Sequence, residues 1–329
     1  MDISVLGAGA WGTALAMVFA KKHTVTLWTR AAQHAADMQA QRENRHYLPG
    51  FALAPNIAVT ADFNAAIDGA GLVIIATPVA GLREMATRLK EARCGASLVG
   101  TCKGFELGSG LLPHQVVRGV IGETVRYGAL CGPSFAQEVA AGKPTAVAFA
   151  AGDPEFTRAM TLELHGPGLR VYANHDLVGV EVAGAIKNVL AIAAGICDGL
   201  DLGLNARAAL VTRGLSEMSR LGAAMGAQRQ SFLGLSGVGD VILTCTGNLS
   251  RNRSVGLGLG EGKPLAQILE ELGHVAEGVH TARAVATLAA RHKVEMPICS
   301  AISSVLDGQR TARNAVEELL ARAPKEELL

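Results

Sequence analysis

Paired cysteines, clustered histidines and an excess of either charge are what this 329-residue sequence lacks. Its six cysteines, at 94, 102, 131, 197, 245 and 299, form no C-x-x-C pair, so neither a zinc ribbon nor a dithiol redox motif has support. Thiols scattered in this way suit a reducing compartment. No His-x-x-x-His occurs, and His274 and His280 stand six apart, which is not metal spacing on one helix face; no metal is expected. The formal net charge of +1 leaves no basic bias for a nucleic-acid partner. A Gly-x-Ser-x-Gly elbow is missing, so a hydrolase reading has no foothold. No basic, apolar leader opens the chain, and a cytoplasmic protein is the expectation.

What is present is apolar. Hydrophobic residues make up 49% and charged ones 18%, enough for a sizeable core and too little polarity for disorder. At roughly 100–200 residues per domain the length allows two. One run, 178–197, is about as long as a membrane span. It carries Glu181, Lys187 and Asn188, and charges at mid-bilayer cost about 2.5–3.5 kcal/mol each. The run therefore reads as a buried helix, with no stable membrane insertion.

The first half alternates short apolar runs with helical patterns. Strands are expected at 3–6, 24–28, 72–76, 97–101, 127–131, 145–150 and 169–172. Helices are expected at 11–20, 82–91 and 154–164. That alternation implies βαβ units, and continuous apolar runs suit strands covered on both faces. From about Asp176 the spacing turns helical, with candidates at 177–196, 206–222, 251–260, 264–272, 277–292 and 311–322. Asn205, Ser250 and Thr311 fit as N-caps, and Pro264 fits a first turn. The expected fold is an α/β Rossmann-type N-terminal domain with a mainly parallel sheet, residues 1–180, and an all-α C-terminal domain, residues 181–329. The boundary falls at 176–185, inside the long helix.

Gly7-Ala8-Gly9-Ala10-Trp11-Gly12 fits G-x-G-x-x-G between a strand and a helix. Gly7 permits the tight turn, Gly9 a close approach of a pyrophosphate, and Gly12 close helix–sheet packing. The helix N-terminus then offers free N–H groups to the phosphates. Alone, the hexapeptide is a weak sign; in this context it indicates NADP or NAD. The second strand ends Trp28-Thr29-Arg30, without the acid that holds a ribose 2′-hydroxyl about 20 residues on. Arg30 suits a 2′-phosphate, so NADPH should be accepted; the plainer alternative is a solvated surface arginine.

Several long blocks then resemble the bacterial NAD(P)-dependent glycerol-3-phosphate dehydrogenases. They include GAGAWGTALA (7–16), TCKGFE (101–106), CGPSFAQEVAAGKPTA (131–146), GAIKNVLAIAAGICDG (184–199), GVGDVILTCTGNLSRNRSVG (237–256), VAEGVHTA (275–282) and VEMPI (294–298). The resemblance implies a Rossmann-type domain followed by a helical one, with the active site between them. It implies interconversion of sn-glycerol 3-phosphate and dihydroxyacetone phosphate, and a homodimer. It departs from the usual pattern in two small ways: the turn Lys21–Thr24 has no glycine, and Ala10-Trp11 stands where a small residue and a lighter aromatic are common.

The resemblance assigns roles that chemistry must justify. Lys187 lies in the most apolar helix, where a lysine is costly to bury without a partner or a task. Burial lowers its pKa and fits it for acid/base work at the substrate oxygen. Asp240, in a Gly-flanked turn, would orient it, although a turn aspartate is commonly only a cap. Lys103 follows a strand end, where ligands of open sheets bind; it is implied to face both substrate and nicotinamide. Ser250, Arg251 and Asn252 would meet the substrate phosphate at a helix N-terminus. Asn188, Thr244, Gly132 and Ser134 are further implied substrate contacts. Ala136, Val275 and Glu277 join Gly7, Gly9, Ala10, Trp11, Gly12, Arg30, Lys103 and Arg251 on the cofactor. Ser134 could instead cap a helix, and Glu277 could be a first-turn acid. Two other readings stay open: a ketopantoate reductase-like NADPH dehydrogenase, whose substrate ends in a carboxylate, and a non-catalytic NADPH-binding protein.

Overall fold

The computed structural model describes residues 1–273 and 276–324. The strands are β1 Asp2–Leu6, β2 Thr24–Trp28, β3 Glu43–Asn44, β4 Leu48–Ala52, β5 Ile57–Thr60, β6 Leu72–Ile75, β7 Ser97–Gly100, β8 Tyr127–Cys131, β9 Thr145–Ala151 and β10 Leu169–Asn174. The first helices are α1 Ala10–Phe19, α2 Ala32–Gln41, α3 Phe63–Ile67, α4 Leu82–Glu91, α5 Pro113–Ile121, α6 Ala136–Ala140 and α7 Pro154–Leu164. Then follow α8 Leu177–Gly199, α9 Gly203–Ala224, α10 Asp240–Thr246, α11 Arg251–Gly260, α12 Leu265–Leu272, α13 Glu277–His292, α14 Pro297–Leu306 and α15 Ala312–Leu320.

Eight strands form one sheet in the order β10-β9-β8-β7-β6-β1-β2-β5. Every pairing is parallel except β8 with β9. All four residues of β6, and all but the first of β1, are buried. That is the environment that continuous apolar runs require. One core lies under α1, α2, α6 and α7, with Leu15, Met38, Val139 and Phe156. The other lies under α3, α4, α5 and the start of α8, with Phe63, Met85, Val117 and Val180. The strand order reverses at β1, between β6 and β2, and this is where a doubly wound sheet opens a crevice at its carboxyl edge.

The sheet was legible as strands, but β3, β4 and β5 were not foreseen. β3 has only two residues and β4 is exposed at three of five positions, so hydrophobic alternation does not mark those two; β5 does alternate, with Ile57 and Val59 buried. In the helical half, α9 starts at Gly203 with Leu202 at the N-cap, so Asn205 does not cap it. Ser250 and Thr311 do cap, accepting the N–H groups of Arg253 and Asn314, each at 3.2 Å. Pro264 stands at the N-cap of α12 rather than inside its first turn. Helix α14, which Pro297 opens, was not anticipated.

The chain divides into two compact units, Met1–Gly184 with Gln230–Asp240, and Ala185–Arg229 with Val241–Leu329. The division falls inside α8, and a short return segment, 230–240, groups with the first unit. α8 is long and apolar enough to cross a membrane, yet 94% of its most apolar window is buried within the protein, which makes it a core helix. A buried cluster fixes its first turns to the first unit. The Glu181 carboxylate accepts the His114 N–H at 3.1 Å and the Tyr127 hydroxyl at 3.1 Å, and lies 2.6 Å from His114 Nδ1. Burial first, then the Glu181 charge, hold the Tyr127 phenol well above its ordinary pKa, so it stays a donor.

In the second unit α8 and α11 meet through glycines. A Cβ on Gly195 would strike the Arg253 carbonyl, and one on Gly256 would strike the Ile192 carbonyl. On Gly260 it would meet the Ile196 carbonyl at 2.8 Å. Only residues without side chains allow the two backbones this approach.

Candidate active site

The nucleotide loop is built by steric necessity. Gly7 has φ +123°, and a Cβ there would lie 2.8 Å from the Ala76 carbonyl oxygen at the end of β6. A Cβ on Gly12 would collide with the Gly7 carbonyl, whereas Gly9 has open space around it. Gly7 and Gly12 thus let the loop fold against itself and the sheet, and Gly9 leaves room for a ligand. The Gly7 N–H donates to the Trp28 carbonyl at 3.0 Å, tying the loop to β2. α1 begins at Ala10 without a side-chain cap, and the first turn holds no acid. Its free N–H groups are suited to an anion. Among the described residues, two buried polar atoms beside the loop, Trp11 Nε1 and Thr77 Oγ1, have no protein partner. A dinucleotide can supply those hydrogen bonds, and these residues therefore fit one. Ala136 opens α6, and both Ala136 and Ala10 pack on the core beneath the loop. Arg30 is exposed just after β2.

The first unit brings Lys103, Gly132, Ser134 and Asp240 together. Lys103 Nζ donates to Asp240 Oδ2 at 2.8 Å and approaches the Gly132 carbonyl at 3.5 Å. Asp240 is only 1% exposed. The Cys131 thiol lies 3.8 Å from the same carboxylate oxygen. Ser134 Oγ donates to the Gly132 carbonyl at 3.0 Å, and Phe135 is the N-cap of α6, so Ser134 is not a helix cap. Gly184 of α8 makes room: a Cβ there would stand 3.0 Å from Cys131 Sγ and 3.5 Å from Lys103 Cγ.

The second unit gathers Lys187, Asn188, Thr244 and the N-terminus of α11. Lys187 is 7% exposed, and its amine donates to Thr244 Oγ1 at 2.9 Å. Asp240 and Thr244 are four residues apart on α10 and share one helix face. Asn252 Nδ2 donates to Asn188 Oδ1 at 3.0 Å, and Asn252 Oδ1 accepts the Gly278 N–H at 3.0 Å. Asn252 therefore braces the start of α11 against α8 and against the first turn of α13, where Glu277 is the first residue. The Ser250 oxygen caps α11, which leaves its hydroxyl proton to donate, and Arg251 projects exposed from the first turn. Val275, expected on the cofactor, lies outside the described residues. Among the described residues no group of three His, Cys, Asp or Glu side chains is placed to hold a metal ion.

Sequence reasoning missed Asn44, His34, Thr29 and Cys131 as neighbours of these sites. Asn44 sits in a two-residue strand and His34 in a polar helix, and nothing in their local pattern separates them from surface residues.

A Rossmann-type sheet with a glycine loop at its switch point, followed by a helical unit with a buried lysine, defines a nicotinamide-dinucleotide dehydrogenase. The comparisons narrow the class. Residues 2–157 match the model of the NAD-dependent glycerol-3-phosphate dehydrogenase N-terminus, and residues 176–317 that of its C-terminus. The chain is 61% identical over 328 residues to glycerol-3-phosphate dehydrogenase [NAD(P)+] of Dechloromonas aromatica, covering 100% of both chains. It is 55% identical over 328 residues to the enzyme of the same name from Aromatoleum aromaticum, covering 99% of this chain and 100% of that one. The crystal structure of glycerol-3-phosphate dehydrogenase from Coxiella burnetii superposes with a TM-score of 0.93 at 41% identity, over 98% of this chain and 99% of that one. The chain belongs to the NAD(P)-dependent glycerol-3-phosphate dehydrogenase family.

Proposed function

We propose that this protein interconverts sn-glycerol 3-phosphate and dihydroxyacetone phosphate with NADPH or NADH, in the cytoplasm, and supplies glycerol 3-phosphate for phospholipid synthesis. The observation that carries the chemistry is Lys187, an amine held on Thr244 inside the long apolar helix α8. A group so placed is poised to move a proton in a dry setting. The nicotinamide, when bound, exchanges the hydride with the substrate carbon.

The protein's own residues do the rest. In reduction the Lys187 ammonium gives its proton to the carbonyl oxygen as that oxygen gains negative charge. In oxidation the neutral amine takes the hydroxyl proton. Asp240, on the Thr244 face of α10, orients the lysine, and Lys103 adds positive charge at the developing alkoxide. Fixed charges of this kind lower the barrier because they hold the transition state more strongly than the ground state. The substrate phosphate rests on the N-terminus of α11, with the Ser250 hydroxyl, the Arg251 guanidinium and the Asn252 backbone N–H as donors. Asn188 and Thr244 line the glycerol portion, and Gly132, Ser134 and Ala136 the nicotinamide side. Gly7–Gly12 take the pyrophosphate, Arg30 the 2′-phosphate, and Val275 and Glu277 complete the cofactor contacts. A homodimer completes the proposal; light scattering on the eluting protein reads its mass.

The test is oxidation of NADPH by purified protein with dihydroxyacetone phosphate, beside Lys187→Ala. Turnover in the wild type that falls by about 100- to 10,000-fold in the variant, with cofactor binding retained, supports the assignment. A folded, NADPH-binding wild type that leaves dihydroxyacetone phosphate untouched removes it.

A further inference from the structure

A hydrogen-bonded chain, buried at Asn44 and partly exposed at His34, runs beneath the nucleotide loop, and the reaction scheme does not use it. Asn44 is fully buried. Its Nδ2 donates to the Ala8 carbonyl at 2.9 Å and to Thr13 Oγ1 at 2.8 Å. Its Oδ1 accepts the Tyr47 backbone N–H at 3.2 Å and lies 3.0 Å from His34 Nε2. A backbone carbonyl only accepts and a backbone N–H only donates, so this amide has one possible orientation. His34 Nε2 must then carry the proton that Asn44 Oδ1 receives. In the neutral ring Nδ1 is left as an acceptor, and the Thr29 hydroxyl, 3.3 Å away, donates to it. Thr29 is itself anchored by its N–H on the Thr60 carbonyl at 3.1 Å. The chain therefore starts beside Arg30 and ends on the carbonyl between the first two loop glycines.

We infer that Thr29, His34 and Asn44 are positioning residues for the dinucleotide. Asn44 holds the Ala8 carbonyl turned into the protein, so that the loop shows N–H groups and not a carbonyl lone pair to the pyrophosphate. His34 and Thr29 fix the backbone from which Arg30 meets the ribose 2′ end. An anion site made of backbone donors works only while every peptide faces the right way. A fully buried amide with all of these bonds made is a rigid means of holding one peptide in place. This inference rests on the dinucleotide reading above and deepens it.

Asn44→Asp and Thr29→Val separate this role from mere packing, because both keep the shape of the side chain. The aspartate loses both donors and puts a carboxylate oxygen against the Ala8 carbonyl. KM and kcat are measured with NADPH, NADH and dihydroxyacetone phosphate, with melting curves to establish folding. Asn44→Asp should raise KM for both cofactors about tenfold or more, and leave KM for dihydroxyacetone phosphate within about twofold. Thr29→Val should lower kcat/KM with NADPH about fivefold and leave NADH nearly unchanged. A folded Asn44→Asp enzyme with wild-type cofactor KM values overturns the inference. So does an unchanged NADPH-to-NADH ratio in Thr29→Val, which decides the matter even if Asn44→Asp does not fold. Wild-type protein that binds neither cofactor removes the dinucleotide reading itself, a distinct result.

Discussion

The Lys103 amine lies 2.8 Å from the Asp240 carboxylate, although 137 residues separate the two in the chain. The carboxylate is almost fully buried and the lysine only partly, so Asp240 has more to lose if the pair breaks. Asp240→Asn should destabilise the protein by about 1.5–3 kcal/mol, the range for a hydrogen bond to a charged group. Urea unfolding of Asp240→Asn, Lys103→Met and the double variant gives the coupling directly. Strictly additive effects would mean that the two side chains do not depend on each other.

The loop glycines should fail in different ways. Gly12→Ala drives a methyl into the Gly7 carbonyl, so it should lower the melting temperature and abolish cofactor binding together. Gly9→Ala has space for its methyl in the protein; it should melt like the wild type yet bind NADPH at least about tenfold more weakly. Differential scanning calorimetry with a fluorescence titration tells the two apart. Equal melting losses in both would mean that Gly9 is needed for folding and not for a ligand.

Arg30→Ala should shift cofactor choice. Removing a guanidinium from a 2′-phosphate costs about 1.5–3 kcal/mol, so kcat/KM with NADPH should fall at least about tenfold while NADH is little affected. An equal fall with both cofactors would place Arg30 on some part they share.

Glu217 offers a pH test away from the chemistry. Its carboxylate accepts the N–H groups of Ile298 and Cys299 at the start of α14, at 2.7 and 3.1 Å. Burial outweighs these bonds and raises its pKa above 4.5. A folded pKa above the unfolded one means that the native state holds the proton more tightly. The group's contribution to stability is therefore complete below pH 4.5 and is lost as pH rises through the higher folded value. The stability of the wild type minus that of Glu217→Gln, from urea unfolding, should decline with pH across that window. A flat difference would contradict the assigned sign.

The sequence carried the sheet well because buried parallel strands are continuous apolar runs, as in Leu72–Ile75. The helical half was legible by period, and Ser250 and Thr311 announced their helices by cap chemistry. It misplaced Asn205, since a good cap residue three positions downstream of Leu202 looks the same as the true start. Within the site, Lys187 stood out because a charge in an apolar helix has few explanations. The partners did not stand out. That Lys187 meets Thr244, that Lys103 meets Asp240, and that Asn252 joins Asn188 to Gly278 are facts of tertiary placement, which no local pattern encodes. Asn44 was hidden most completely, because its work is done by a buried amide in a strand of two residues.

The glycine contact between α8 and α11 has a consequence for drift and temperature. Lys187 on one helix and the N-terminus of the other are spaced by main chain resting on main chain, with no rotamer between them. Such a ruler does not lengthen when side chains loosen on warming, because no side chain lies in the contact. The spacing of Lys187 from the start of α11 is written into four glycines, Gly195, Gly199, Gly256 and Gly260, and a lineage that changed one of them would have to shift one helix against the other.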